Sequence, residues 1–472
     1  MTKIQPKFSG LSKYVTVFDL QDSFCLFHSI TLEKIFVSKK YLANKLNNKI
    51  NAVNLNNSHF FKKHDTVIEK SIARYKTKSN PNFKQLYLIV TEACNFSCKY
   101  CRQVTHGRRG KYFIGEDELK QVINRFFKLS GNEPAGVVFY GGEPMLNKKM
   151  IISSVQLIRK EEKLLHLKKP IDLTIITNGT NIDIVTAKLL AKADVYIIIS
   201  LDGTLEENNS MRVYQGGKGT FTDNIKGYHI FKRAGCQVGI SCTVGNHNYH
   251  KLEKIFNYFE KELKPVNVGI NLPHDDYTNP LVTNIDYHKL CDNLFKINNR
   301  HKVYVEHIMR KMRLLFTQEI KINDCPACGY RLVYLPGGRW GVCEGAMGMD
   351  SYFFNNLKKV RQMSKEWYFT SPLFDNLCNS CPGLGICGGG CPFDGYLQSG
   401  KVGSRDNNRC YFIKLLVEWG LKKFYKLHKK RIMSKGIYQP DLNIQATFLR
   451  NINSLKENLP LRSSANFAIR KI

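Results

Sequence analysis

The stretch Cys94-Asn95-Phe96-Ser97-Cys98-Lys99-Tyr100-Cys101 follows directly on an apolar run, Leu86 to Ala93 (LYLIVTEA). Its spacing, Cys-x3-Cys-x2-Cys, supplies three thiolates and no fourth. Ferredoxin-type iron–sulfur sites fill all four iron positions of a cube with cysteine. Three protein ligands leave one iron open to a non-protein ligand. The competing reading is a zinc knuckle, but such sites pair Cys-x2-Cys with a second pair. None follows within the next forty residues. Three more apolar runs lie downstream, and each ends in a polar turn. VVFY leads into Gly141-Gly142-Glu143-Pro144, LTIIT into Asn178-Gly179-Thr180, and VYIIIS into Leu201-Asp202-Gly203.

Strand patterns begin near residues 86, 136, 172, 195, 237 and 266, with helical periodicity between them. Alternating strands and helices predict parallel strands with right-handed crossovers. The expected fold is α/β, a partial (β/α)6 barrel open on one side, with its site at the strand C-terminal ends.

A Cys-x3-Cys-x2-Cys motif followed by GGEP, TNG and SLDG, each after a strand, resembles the radical S-adenosylmethionine (SAM) superfamily over about residues 85 to 300. The resemblance implies a 4Fe–4S cluster on Cys94, Cys98 and Cys101, with SAM chelating the open iron. It implies that Glu143 and the backbone around it hold the SAM amino group. It also implies reductive cleavage of SAM to a 5′-deoxyadenosyl radical. It assigns Gly141, Gly142, Glu143, Pro144, Asn178, Ser200 and Asp202 to SAM; Arg212 is a candidate for a bidentate contact to the SAM carboxylate, and Tyr140, just before GGEP, faces either the core or the cavity. The Arg212 alternative is a surface ion pair.

A second cysteine set, Cys378, Cys381, Cys387 and Cys391, has the spacing Cys-x2-Cys-x5-Cys-x3-Cys. Upstream, Cys328, Gly338 and Cys343 form Cys-x9-Gly-x4-Cys, and Cys410 stands downstream. This order resembles the SPASM extension of radical SAM enzymes, which carries two auxiliary 4Fe–4S clusters. The resemblance places Cys378, Cys381, Cys387 and Cys410 on an outer cluster. It places Cys328, Cys343 and Cys391 on an inner one. Cys325 either closes the inner site or leaves an open iron there; closure is the expectation. Three clusters and SAM are thus the expected cofactors. Cys25, Cys236, Cys242 and Cys291 read as small core residues.

Residues 13 to 37 read as three short strands, followed by helical patterns near 39–48 and 62–76. Residues 1–82 therefore resemble the small winged-helix element of peptide-modifying enzymes, which binds a leader peptide as an added strand. The alternative is a structural cap. The radical SAM barrel is expected at 83–300, the SPASM segment at 301–412 and a helical extension at 413–472. Within that extension, YFIKLLVEWGLKKFYKLHKK reads as a helix docked on the SPASM segment rather than on a membrane.

The 472 residues carry 71 Lys and Arg against 39 Asp and Glu, a net charge of +32. Such a surface steers acidic partners. An acidic peptide and an acidic flavodoxin or ferredoxin fit this chemistry; no RNA-binding motif accompanies the charge, so nucleic acid is not expected. No signal-peptide core or membrane-length apolar run is present, and the 15 cysteines read as reduced ligands in the cytoplasm. His274, Asp275 and Asp276, after the sixth strand, are candidates for deprotonating a substrate radical. The function expected is modification of a ribosomally made precursor peptide, leader plus core, by a thioether, ether or C–C crosslink. Formylglycine formation on a sulfatase is the alternative within the class. A non-catalytic iron–sulfur electron carrier and an RNA-modifying radical SAM enzyme are alternatives of other kinds. The open-iron motif with GGEP disfavours the first, and the SPASM cysteines disfavour the second.

Overall fold

The computed structural model describes residues 10–44, 58–77, 80–105, 110–274, 285–300, 304–452 and 468–470. At the N-terminus, β1 (Val15–Asp19), β2 (Ser23–His28) and β3 (Lys34–Ser38) form an antiparallel meander. The helices Lys39–Asn44 and Asp65–Lys76 follow it.

Six strands then run parallel and in sequence order. They are β4 (Gln85–Thr91), β5 (Gly136–Gly141), β6 (Asp172–Thr177), β7 (Val195–Ser200), β8 (Val238–Thr243) and β9 (Val268–Asn271). Their starts fall within two residues of the expected ones. The reason is compositional: strands covered on both faces are near-continuous apolar runs bounded by turns. The crossover helices are amphipathic. Glu116–Leu129, for example, buries Leu119, Val122, Ile123, Phe126 and Phe127 and opens on Glu116, Asp117 and Glu118. Those acids favour the positive end of the helix dipole.

The sheet extends past the expected boundary at residue 300. β10 (Glu319–Lys321) pairs apart with Ala468–Arg470. β11 (Arg331–Leu335) lies parallel to β4, and β12 (Arg339–Gly341) folds back on β11. The full order is β12-β11-β4-β5-β6-β7-β8-β9, with no pairing between the two end strands.

The N-terminal sheet is completed from the far end of the chain. The helix Asn407–Lys435 leads into β13 (Ile437–Tyr438), which pairs with β3. The order is β1-β2-β3-β13, so β1 is the uncovered edge among the described residues. Phe36 of β3 is fully buried and stacks on Phe424 of that helix at 5.6 Å. The turn after β2 docks on the cysteine-rich segment, where the Gly385 amide donates to the Ser29 carbonyl at 2.9 Å. A Cβ on Gly385 would lie 2.4 Å from that oxygen, so glycine is required there. Cys25, Cys236, Cys242 and Cys291 are buried in the core as expected. No helix among the described residues is long and apolar enough to cross a membrane.

This packing predicts unequal costs for two truncations in the N-terminal sheet. Phe36→Ala should lower stability by about 3–5 kcal/mol, the usual cost of emptying a buried phenylalanine site. Val17→Ala, at a position 38% exposed, should stay within about 0.5 kcal/mol. Urea unfolding distinguishes them, and equal effects would show that the sheet packs only peripherally.

Candidate active site

The four polar turns converge because each follows the C-terminal end of a neighbouring parallel strand. Gly141 and Gly142 let the end of β5 lie against the loop entering Cys94. Gly141 has φ +146°, and a Cβ there would stand 2.1 Å from the Thr91 carbonyl oxygen. A Cβ on Gly142 would stand 2.2 Å from that of Ala93. Two backbone bonds seal the contact: Gly142 donates to Thr91 at 3.0 Å and Glu143 to Ala93 at 2.8 Å.

Glu143 is buried and its carboxylate ties three motifs together. It accepts from the Met145 amide (2.8 Å), the Thr177 hydroxyl (2.6 Å) and the Asn178 amide (2.7 Å). Burial pushes its pKa up to about 7, against the pull of these donors. Asn178 in turn donates to Asn95 at 2.9 Å, and Asn95 donates to Thr180 at 2.8 Å, which ties the cysteine loop to the turn after β6.

Asp202 does not line the cavity; it is fully buried beneath it. Arg212 presents Nε and Nη2 to its two oxygens at 3.0 Å each, and the Tyr100 hydroxyl donates to it at 2.6 Å. Burial is the largest influence on Arg212 and opposes its charge, but Asp202 and the neighbouring groups together outweigh it and raise the arginine pKa further. Asp202 thus positions Arg212, which does reach the cavity, and the surface-pair alternative for Arg212 does not apply.

That cavity measures about 440 Å³, within the range of small-molecule sites. Cys94, Cys98, Cys101, Tyr140, Gly141, Gly142, Glu143, Asn178, Ser200, Arg212 and His274 all line it; Pro144 is buried behind. Cys391 lines it too, on the side of His274 and Asp394. His274 Nδ1 lies 2.6 Å from Asp394 Oδ1, and a ring nitrogen of His274, a carboxylate oxygen of Asp394 and the Cys391 sulfur lie within 4.8 Å of one another. Burial disfavours charge on His274, but Asp394 outweighs it and raises its pKa. Asp275 and Asp276 lie outside the described residues.

The remaining cysteines fall into two groups. Cys325 is within electrostatic reach of Cys328, Cys343 and Cys391. Cys378, Cys381, Cys387 and Cys410 line a separate small cavity. Burial lifts Cys94, Cys378 and Cys387 to about 12, so metal binding there must displace protons. Clustered soft thiolates suit iron–sulfur chemistry, and sets of three, four and four fit one open and two closed cubes.

Sequence reasoning missed several cavity and cluster neighbours. Arg331 pairs with Glu344 at 2.8 Å, reaches to 3.6 Å from the Cys325 sulfur and lies 4.6 Å over the Tyr87 ring. Its signal was a lone cation opening a fully buried strand, RLVYL. Lys311 carries a comparable signal: it falls on the apolar face of its helix with Ile308 and Leu315.

Residues 88–259 match the family model of the radical SAM superfamily, so the chain carries a radical SAM domain. That family uses a 4Fe–4S cluster and SAM. The radical SAM cyclopropyl synthase TigE of Paramaledivibacter caminithermalis is 24% identical over 463 residues, covering 86% of this chain and 94% of TigE. The cysteine-type anaerobic sulfatase-maturating enzyme of Clostridium perfringens strain 13 is 26% identical over 335 residues, covering 66% and 89%. In fold, the chain resembles the solved structure of native anSMEcpe with bound AdoMet. The TM-score is 0.58 at 22% identity, covering 75% of this chain and 99% of that one.

Anaerobically reconstituted protein should hold about twelve irons per chain, four per cluster. Replacing Cys94, Cys98 and Cys101 with Ala should remove about four of them and all SAM cleavage. Iron analysis with a 5′-deoxyadenosine assay checks this, and surviving cleavage would refute the assignment.

Proposed function

We propose that this chain is a radical SAM/SPASM enzyme that modifies a ribosomally made peptide, with a crosslink as the product. One observation carries the reading: Cys391, assigned to the inner auxiliary cluster, lines the same cavity as Cys94, Cys98, Cys101 and Glu143. A substrate residue in that cavity lies between the SAM side and an auxiliary cluster. When bound, the reduced cluster and SAM supply a 5′-deoxyadenosyl radical, the hydrogen-atom acceptor of this chemistry.

The chain's own residues bind and orient. Cys94, Cys98 and Cys101 hold iron and leave one position open. Glu143 has an acceptor position remaining beside its three bonds and takes the SAM ammonium. Arg212, fixed by Asp202, faces the SAM carboxylate; Tyr140, Asn178 and Ser200 line the same wall. His274, held by Asp394, stands on the substrate side. Closure of the inner site by Cys325 is supported by its reach to all three partners. A flavodoxin or ferredoxin supplies electrons in the cytoplasm.

The N-terminal sheet presents the leader. With the β3 edge occupied by β13, strand addition falls to β1. The likeness to TigE, spanning most of both chains, supports a carbon–carbon bond over formylglycine formation. The sulfatase-maturing relative matches a smaller share of this chain.

Two measurements test the reading. With a precursor peptide, mass spectrometry should show loss of two hydrogens dependent on SAM, and the loss should vanish in Cys391→Ala. Exchange of a cysteine sulfur for oxygen together with loss of two hydrogens would instead establish the maturase reaction. SAM affinity should also fall as the pH drops through about 7, because the raised Glu143 carboxyl then gains a proton and ceases to accept. Glu143→Gln should bind SAM about ten- to hundredfold more weakly at high pH and lose this pH dependence. Matching flat profiles for wild type and variant would remove Glu143 from SAM binding.

A further inference from the structure

Lys311 is buried in the helix Glu306–Thr317 and belongs to no part of the SAM cavity. Its Nζ donates to the carbonyl oxygens of Ile386 at 2.6 Å and of Cys387 at 2.8 Å. Its third contact is Asp324 at 3.0 Å. Two other cations reach the same carboxylate, Arg310 at 2.8 Å and Lys321 at 3.0 Å. Glu306 adds a second anion, 3.7 Å from Arg310. Three cations against two carboxylates leave a surplus of positive charge buried behind Cys387.

The inner cysteines have a different electrostatic setting. Their nearest cation, Arg331, is matched by Glu344. Asp394 and Asp406 both approach Cys391, and each has its own basic partner: His274 lies 2.6 Å from Asp394 and Arg409 lies 3.7 Å from Asp406. Buried unpaired charge is costly, so a positive surplus implies an anion to compensate it. Four thiolates around an iron–sulfur core provide one on the outer side.

We propose that Lys311 is a positioning charge for the outer site, and that its buried ammonium makes this site easier to reduce than the inner one. This rests on reading Cys378, Cys381, Cys387 and Cys410 as ligands of one cluster. Cluster potentials follow net charge, hydrogen bonding and solvent exposure. An added electron makes the cluster more negative, and a cation held in a low-dielectric interior stabilises that state most.

Reductive titration of the reconstituted holoenzyme with dithionite, followed by electron paramagnetic resonance, tests the proposal. The outer signal is identified as the one lost in Cys410→Ala and the inner signal as the one lost in Cys343→Ala; the wild-type outer midpoint should be the higher, and one at or below the inner midpoint overturns the proposal. Lys311→Gln removes one positive charge and should lower its midpoint potential. Asp324→Asn removes one negative charge from the ion-pair group around Lys311 and should raise it. Iron content serves as the check on integrity, and a merely structural role would move both variants the same way. Opposite shifts support the proposal; unmoved midpoints, or shifts in one direction, overturn it. Should Lys311→Gln lose its outer iron, the Asp324→Asn shift decides alone. A wild-type spectrum with no signal sensitive to Cys410→Ala would refute the cluster reading itself, and the proposal with it.

Discussion

The Glu143 carboxylate is the contact on which the rest of its cavity wall depends. A buried carboxylate is costly unless donors meet it, and here two amides and a hydroxyl do so from two separate segments. These bonds hold the turn after β5 against the turn after β6. The same turn is held against the cysteine loop by backbone contacts that only glycine permits. No single motif forms the wall alone. Each is a short turn whose shape is set by its neighbours on adjacent strands, and parallel pairing in sequence order makes them neighbours.

A second buried ionic unit fixes the opposite wall. Asp202 holds Arg212 and Tyr100 together, and Tyr100 belongs to the cysteine motif itself. Strand β8 contributes through the Thr243 amide, 2.9 Å from the same carboxylate. The three thiolates are thus braced on one side by Asn95 and on the other by Tyr100. An isolated buried pair of this kind is weak evidence of stability. Its value here is geometric, because it leaves one face of the guanidinium on the cavity.

Much of this was legible in the sequence because it is local. Doubly covered parallel strands read as apolar runs, cysteine ligands come in short fixed spacings, and strand-end turns carry their polar residues with them. What escaped was long-range. His274 and Asp394 stand 120 residues apart and meet only when the cysteine-rich segment folds over the strand ends. The pairing of β11 with β4, and of β13 with β3, leaves no trace in periodicity, because periodicity reports burial and not partner. Asp202 was expected at the cofactor, since its motif is. Its side chain instead turns inward to Arg212, a choice made by burial and charge that spacing does not encode. Arg331 and Lys311 gave a weak signal, a cation in an apolar phase, whose meaning depends on the cysteines beside it.

The sheet itself is open, since β9 and β12 do not pair. The segments that follow these two strands nevertheless meet. A Cβ on Gly345, after β12, would lie 2.6 Å from Nε2 of His274, after β9. The gap in the barrel is therefore bridged by a side chain against a glycine rather than by a backbone ladder. A ladder would fix the gap with paired amides and carbonyls; this contact is one imidazole held by Asp394. The bridge also stands beside Cys391, so the element that spans the opening and the element assigned to redox chemistry are one structural unit. His274 and Glu143 line the same cavity, so this bridge and the wall built around Glu143 bound one space.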